Sequence, residues 1–372
     1  MAGVDDDSAC WWPGSPCATV QHALDTYVET GAGTSVRLHG GRERVYDPFV
    51  LRAAQSGAPD RPTWIGPWPN TGRPIVDGTE GDGLNAGAIR GCCGETTASH
   101  FVIEGLEVRN GPIAGILVHG SGSEGAVIRD CVVHSTRIIA GDIYENQLAG
   151  IAVSNDVPSV VIEDNVIRDN PAVDGSRAIS GIAVTDGSHD ALIRRNLIRD
   201  NSGDGIEIAS GSIDSNRITD VGRHGILVSS TAMVANNVVC SSGEDGIRVV
   251  NGDDGVYTNN TVAGAGGSGM TVTSWATGNR VSDSVFAFNA VAAFERELVL
   301  DAMGMPRTGD ASDPVEEHNL LFGNGSDYLM LEPDAPLTNL TSDPGFADLE
   351  ACDLRASGTS LGAMGWVLSP IP

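Results

Sequence analysis

The chain has no lysine: all 22 of its basic residues are Arg, among 372 residues. That excludes Schiff-base chemistry and any mechanism built on a lysine base. Basic charge is also scarce against 49 acidic residues, for a formal net charge of −27. A nucleic-acid partner is excluded on that ground, because phosphate binding needs a basic surface. Aromatic residues make up only 5%. No apolar run approaches the length of a membrane span. No Cys-x-x-Cys pair exists among the seven cysteines, which argues against a zinc site. Met1-Ala-Gly-Val-Asp-Asp-Asp-Ser8 does not read as a leader peptide.

Glycine is abundant instead, with 48 residues, and it recurs in phase. Gly181-Ile-Ala-Val, Gly205-Ile-Glu-Ile, Gly225-Ile-Leu-Val, Gly246-Ile-Arg-Val and Gly269-Met-Thr-Val follow at steps of 24, 20, 21 and 23. Between them lie Ile193-Arg-Arg-Asn196, Ile213-Asp-Ser-Asn216, Val234-Ala-Asn-Asn237 and Tyr257-Thr-Asn-Asn260. Two apolar signals locked at one period mean one structural unit, repeated and stacked. Extended along the chain, the second signal runs Leu106, Cys131, Asn165, Asn196, Asn216, Asn237, Asn260, Ser284 and Asn319. Its steps are 25, 34, 31, 20, 21, 23, 24 and 35 residues. A coil of about 20 residues accommodates three short strands and three turns, and the Asn column predicts a buried ladder at the inter-strand spacing of ~4.8 Å.

Thr19 to Glu29 carries Val20, Ala23, Leu24, Tyr27 and Val28 at helical spacing, with Thr19 as N-cap. Such a helix suits the open end of a solenoid, where an edge strand needs cover. The reading is therefore one domain over 1–372: an N-terminal cap at 1–33, coils over 34–325, and a last coil and cap over 326–372. Residues 291–316, with Glu295, Arg296 and Glu297, interrupt the pattern and read as a loop excursion. Cys10 and Cys17 bracket a loop that a disulfide can close; Cys92 and Cys93 are adjacent; Cys131, Cys240 and Cys352 are isolated in sequence. The cysteines favour an oxidising setting, secreted or periplasmic, with the leader absent from this chain.

The repeated Gly-Ile-x-Val and Ile-x-x-Asn-x-Ile resemble the right-handed parallel β-helix superfamily, the pectate-lyase-like proteins. Pro16-Cys-Ala-Thr-Val-Gln-His-Ala-Leu-Asp25 is similar to that group's N-terminal capping helix. Asp343-Pro-Gly-Phe346, Cys352-Asp-Leu-Arg355 and Gly362-Ala-Met-Gly365 resemble the final coil of bacterial secreted members. The resemblance implies an all-β fold, a single-stranded right-handed parallel β-helix, and leaves the activity open. A lysine-base lyase is impossible here. Arg223-His-Gly225 precedes Asn251-Gly-Asp-Asp254, the reverse of the polygalacturonase order, and the Tyr-Gly-x-Asp-Pro-His-Asp run of alginate epimerases is absent.

Function then belongs on outward positions. Before the ladder these are Glu104, Arg129, Glu163, Arg194 and Asp214, whose alternating charges read as structural pairing. After the ladder come Arg109, His134, Arg168 and Arg199, a stripe of one sign suited to carboxylates of an anionic polymer. The alternative is that turn acids such as Asp169 and Asp200 neutralise each Arg. The column after the glycines is mostly small, like a groove floor, with His119, Glu207 and Arg248 standing out. Asp204, His224, Glu244 and Asp245 lie in the preceding turns. That acid-rich patch suits paired carboxylates for glycoside hydrolysis, a Ca²⁺ ion, or solvated turns. The long steps place insertions at 135–149 and 171–180, which read as groove walls.

The leading expectation is a lyase that eliminates across a uronate-containing polysaccharide. Arg137, Arg168 or Arg177 would neutralise the carboxylate, His134 or His119 would act as base and Tyr144 as acid or base. Arg109, His119, Arg199, Glu207 and Arg248 would bind substrate. The alternatives are a glycoside hydrolase using carboxylates around Glu207 and Glu244, and a non-catalytic carbohydrate-binding protein. No cofactor is assigned, Ca²⁺ is the candidate, and a monomer is expected.

Overall fold

The computed structural model describes residues 11–12, 15–41, 44–80, 87–91, 97–137, 148–172, 178–273, 275–297, 314–331 and 338–356. Among the described residues, three parallel sheets of 11 strands each carry the coils. Each coil contributes one strand to each sheet in turn, the arrangement the twin periodic signals require. The first sheet precedes the ladder position, the second follows it, and the third carries the Gly-Ile-x-Val segments. No helix among the described residues is long and apolar enough to cross a membrane.

The chain divides into two compact units, 1–192 and 193–372. In the first, a short strand pair, Trp11–Trp12 with Ser15–Pro16, precedes helix α1, Val20–Tyr27, whose Thr19 side chain accepts the His22 N–H as expected of the N-cap. Leu24 is fully buried. Gln21 from this helix pairs with the backbone of Val50 on both sides: Oε1 accepts the Val50 N–H at 2.8 Å and Nε2 donates to its carbonyl at 3.3 Å. A side chain thus satisfies edge groups that an open solenoid end would leave bare. Along the first sheet of this unit, Arg129 donates to Glu104 at 2.7 Å and Trp64 Nε1 to the same carboxylate at 2.7 Å. The outward alternation there is structural.

In the second unit the Asn column is a continuous ladder. Asn216 N–H and Nδ2 both donate to Asn237 Oδ1, at 2.9 and 3.0 Å, and Asn237 repeats this onto Asn260 at 3.0 and 3.1 Å. Ser284 and Asn319 extend it. A second ladder was not foreseen: Ala265 N–H donates to Asn289 Oδ1 and Asn289 N–H to Asn324 Oδ1, both at 3.0 Å. The phased glycines have a steric cause. A Cβ on Gly225 would stand 2.2 Å from Val239 Cγ1 and 2.6 Å from the Gly246 carbonyl, and Gly246 is as crowded against Val262 and Gly269. The turn therefore closes against the next coil only with hydrogen at this position.

Three expectations need correction. Residues 294–297 are not part of a loop excursion: Phe294–Glu297 is a strand paired with Met270–Thr273, held because Phe294 packs against Phe286 at 4.6 Å between ring centroids. Cys240 and Cys352 are not isolated: they form a disulfide across 112 residues, fixing the hairpin of Phe346–Asp348 and Asp353–Ala356 onto the second sheet. The column after the glycines is not an open floor throughout, since Leu117, Ala152 and Ala183 are buried with Ala114 and Ala149 in one cluster. Cys17 is disulfide-bonded; its expected partner Cys10, and Cys92 and Cys93, lie outside the described residues. Cys131 is a buried free thiol, and burial pushes it up to about 12.

Candidate functional site

Two groups of polar side chains stand on the outer faces, one in each unit. In the first unit, register places Arg109, His134 and Arg168 on consecutive strands of the second sheet. Each is already matched with an acid. Arg109 Nε donates to Asp77 at 2.8 Å, His134 Nε2 lies 3.3 Å from Glu107, and Arg168 pairs with Asp169. Burial opposes ionisation of Asp77, but hydrogen bonds from Thr79, Asn110 and Arg109 outweigh it and hold its carboxyl far below the usual range. Arg199, in the second unit, pairs with Asp200 in the same way. Asp169 and Asp200 thus pair with Arg168 and Arg199, while Arg109 and His134 face Asp77 and Glu107 from the strands themselves.

Arg137 donates through NH2 to the Thr79 carbonyl at 3.1 Å. His119 lies on the third sheet, not beside His134, with Nδ1 3.0 Å from Ser154 Oγ; burial holds its imidazole below the usual value, Asp186 opposing. Tyr144 and Arg177, with most of both insertions, lie outside the described residues. Of the expected lyase site, His134 and Arg168 stand on adjacent strands, each with a local acidic partner, while His119 lies on the third sheet.

The second group is built from the turns ahead of the glycines. Asp204, His224, Asp245 and Ser268 occupy the same position in successive coils, immediately before Gly205, Gly225, Gly246 and Gly269. Each side chain accepts the backbone N–H of the next: His224 N–H to Asp204 Oδ1 at 2.9 Å, Asp245 N–H to His224 Nδ1 at 3.2 Å, Ser268 N–H to Asp245 Oδ1 at 2.9 Å. This fixes the imidazole tautomer. Nδ1 is an acceptor, so the ring proton sits on Nε2. Nε2 lies 2.9 Å from Glu244 Oε2.

The His224 side chain is 6% exposed and Glu244 49%. A buried, neutral ring therefore directs its single N–H at a carboxylate that faces solvent. Burial holds the imidazole below its usual value, with Asp204 and Asp245 opposing. Burial likewise pushes the Asp204 carboxyl up, opposed by Arg223 and His224. Arg223 bridges Asp204 at 3.3 Å and Glu244 at 3.8 Å.

Arg248 lies two coils from Glu207 in register, through Leu227, as the sequence phase requires. It is held by Asp245 Oδ2 at 3.1 Å and by Glu297. Ser268 Oγ donates to Glu295 at 2.6 Å. Glu295 and Glu297 complete the patch, though the sequence placed both in a loop. Their signal was the inward Phe294, which keeps the strand phase. Among the described residues no group of three or more His, Cys, Asp or Glu is placed to hold a metal ion.

A solenoid of three parallel sheets, with one strand of each per coil, defines the class. A family model described as the right-handed β-helix region matches residues 94–257 and 180–296, and the chain belongs to that family. No curated protein matches the sequence. Among solved structures, the GH136 lacto-N-biosidase from Eubacterium ramulus is similar with a TM-score of 0.63 at 13% identity, over 90% of this chain and 66% of that one. The A-module of the mannuronan C-5 epimerase AlgE4 from Azotobacter vinelandii gives 0.61 at 16% identity, over 87% and 95%. Pectate lyase Pel9A gives 0.58 at 13%, over 94% and 86%. The chain thus spans slightly under two thirds of the biosidase. By name these three carry out different reactions on one fold, so the fold does not select among them.

Proposed function

We propose that the protein is an extracytoplasmic enzyme that hydrolyses glycosidic bonds at the Glu244 patch. The observation that carries this reading is the His224 Nε2–H set against half-exposed Glu244 by a buried column of fixed acceptors. Glycoside hydrolysis uses two carboxyl groups on either side of the bond. Glu244 is the oriented nucleophile or base, and Glu207 the second carboxyl group. His224, with Asp204 beneath it, positions Glu244 without taking part in bond making.

The charge of the patch favours a neutral glycan. Glu207, Glu244, Glu295 and Glu297 outnumber Arg223 and Arg248, and the chain carries a net charge of −27. A polyuronate would meet repulsion from both. The names of the similar structures support carbohydrate as the substrate class, and the Cys240–Cys352 disulfide supports an oxidising compartment. Elimination at His134 is the less favoured reading, because Arg109 and Arg168 beside it, which would neutralise a uronate carboxylate, are paired with Asp77 and Asp169.

The test is incubation with panels of neutral glycans and polyuronates, measuring reducing ends and the ultraviolet absorbance of unsaturated uronate ends. Reducing ends without that absorbance are expected. Glu244→Gln should lower kcat by about 10³-fold or more with the fold intact. Unsaturated products, or full activity in that variant, would reject the reading.

A further inference from the structure

Among the described residues of the first unit, His119 and His134 each lie within hydrogen-bond distance of a serine, and one of these two pairs has the polarity of an activated nucleophile. His119 Nε2 lies 3.4 Å from the Asn155 side-chain amide nitrogen, which can only donate. Its proton therefore sits on Nδ1 and points at Ser154 Oγ, 3.0 Å away on a fully buried side chain. That pair is the wrong way round for a base. His134 is the opposite case. Its Nε2 faces Glu107 Oε1 at 3.3 Å, and a carboxylate only accepts. The proton is on Nε2, so Nδ1 carries the lone pair, and Ser135 Oγ at 2.9 Å must donate to it.

We propose that Ser135, His134 and Glu107 form a nucleophile, base and orienting carboxylate that cleave acyl esters. The site is separate from the Glu244 patch. The substrate class, an acyl group on a sugar hydroxyl, rests on the carbohydrate reading above; the ester chemistry does not. The order of contacts is that of serine hydrolases, met here through the opposite ring nitrogens. Ser135 is partly exposed, and the Glu107 side chain is 29% exposed beside it. Register places Arg168 on the strand next to His134, where it binds Asp169 through NH1.

In the reaction Ser135 Oγ adds to the acyl carbonyl carbon while its proton passes to His134 Nδ1. The adduct collapses, the ester C–O bond breaks, and that proton goes to the departing sugar oxygen. Water then repeats the sequence on the acyl-serine, releasing the carboxylic acid and restoring the hydroxyl. Glu107 steadies the imidazolium formed in each half.

The alternative is a purely local contact. Arg168–Asp169 and Arg199–Asp200 also join a strand end to its turn residue. The experiment separates the two. The intact protein is treated with a fluorophosphonate, and peptides are read by mass spectrometry for an adduct on Ser135. Hydrolysis of p-nitrophenyl acetate and acetate release from an O-acetylated neutral glycan are measured alongside. Ser135→Gly is the variant of choice, because Ser135 has a φ of 57° that glycine adopts freely. An adduct on Ser135 is expected, with losses of about 10²-fold or more in Ser135→Gly and His134→Gln. Glu107→Gln should lower kcat with KM unchanged, a split that a packing role would not give. No adduct on Ser135, or ester hydrolysis that survives Ser135→Gly, overturns the proposal. Because p-nitrophenyl acetate carries no sugar, turnover of it without acetate from the glycan rejects the carbohydrate-ester class while keeping the serine.

Discussion

Replacing Asn237 by Ala tests whether the ladder holds the coils or merely fills them. Asn237 is fully buried. Its Oδ1 accepts the Asn216 N–H and Nδ2, and its Nδ2 donates to the Ile213 and Ala235 carbonyls, both at 2.9 Å, and to Asn260 Oδ1 at 3.1 Å. The losses are unequal. Asn216 Nδ2 keeps the Ile193 and Asp214 carbonyls, and the Ala235 carbonyl keeps the Ser215 N–H. The Asn216 backbone N–H is left with no acceptor. An orphaned buried donor costs about 1–3 kcal/mol and each lost net hydrogen bond about 1 kcal/mol, so Asn237→Ala should cost about 3–5 kcal/mol. Asn237→Asp should be worse at neutral pH, since it sets a carboxylate oxygen against two carbonyls, and should recover as acid protonates it. Asn236→Gly is the control: the Asn236 side chain donates one exposed hydrogen bond, to Asp214 at 2.7 Å, the backbone N–H keeps the Thr258 carbonyl, and the φ of 59° suits glycine, so the change should cost about 1 kcal/mol or less. Urea unfolding followed by circular dichroism gives the totals. Native-state hydrogen exchange at the Asn216 amide reads the local effect, which matters in a repeat array where cooperativity can break. If Asn237→Ala costs no more than Asn236→Gly, or leaves exchange at Asn216 unchanged, the ladder is not what joins these coils.

Two further outcomes follow from the second unit. The folded-state pKa of His224 lies below its usual 6.5, so below that pH the unfolded chain binds more protons than the folded one. Its contribution is therefore complete above pH 6.5 and is lost as the pH falls; thermal unfolding from pH 8 down to 5 should show a decline that His224→Gln flattens, and parallel curves would contradict the neutral buried ring. Cys352→Ser opens a loop of 112 residues, for which chain entropy gives an upper bound of about 5 kcal/mol. Limited proteolysis should then cut within 346–356 in the variant or under reductant, and equal resistance would show that the apolar contacts of Phe346, Leu349 and Leu354 hold the hairpin unaided.

The sequence revealed the scaffold because backbone geometry leaves few choices at its repeating positions. Only glycine clears the Gly246 carbonyl at position 225, and an amide that both donates and accepts suits every rung from Asn216 to Asn260. Those demands recur each coil, so they print a period. The outward residues answer to a different rule. Whether Arg168 is a substrate anchor or half of an ion pair depends on Asp169 beside it, and a column of side chains shows its sign only after the neighbours are counted. The His224 column was nonetheless written in phase: the residue before each glycine reads Asp204, His224, Asp245, Ser268. Read as surface acids, they suggest a solvated patch. Read as acceptors for the next coil's N–H, they become a buried column that can fix one tautomer and so one direction of proton donation. That step needs the burial of Asp204 and His224, which follows from coil packing and not from residue type. The Cys240–Cys352 bond lay beyond reach for a related reason, since the returning C-terminal hairpin belongs to no repeat and its landing place on the second sheet has no period to reveal it.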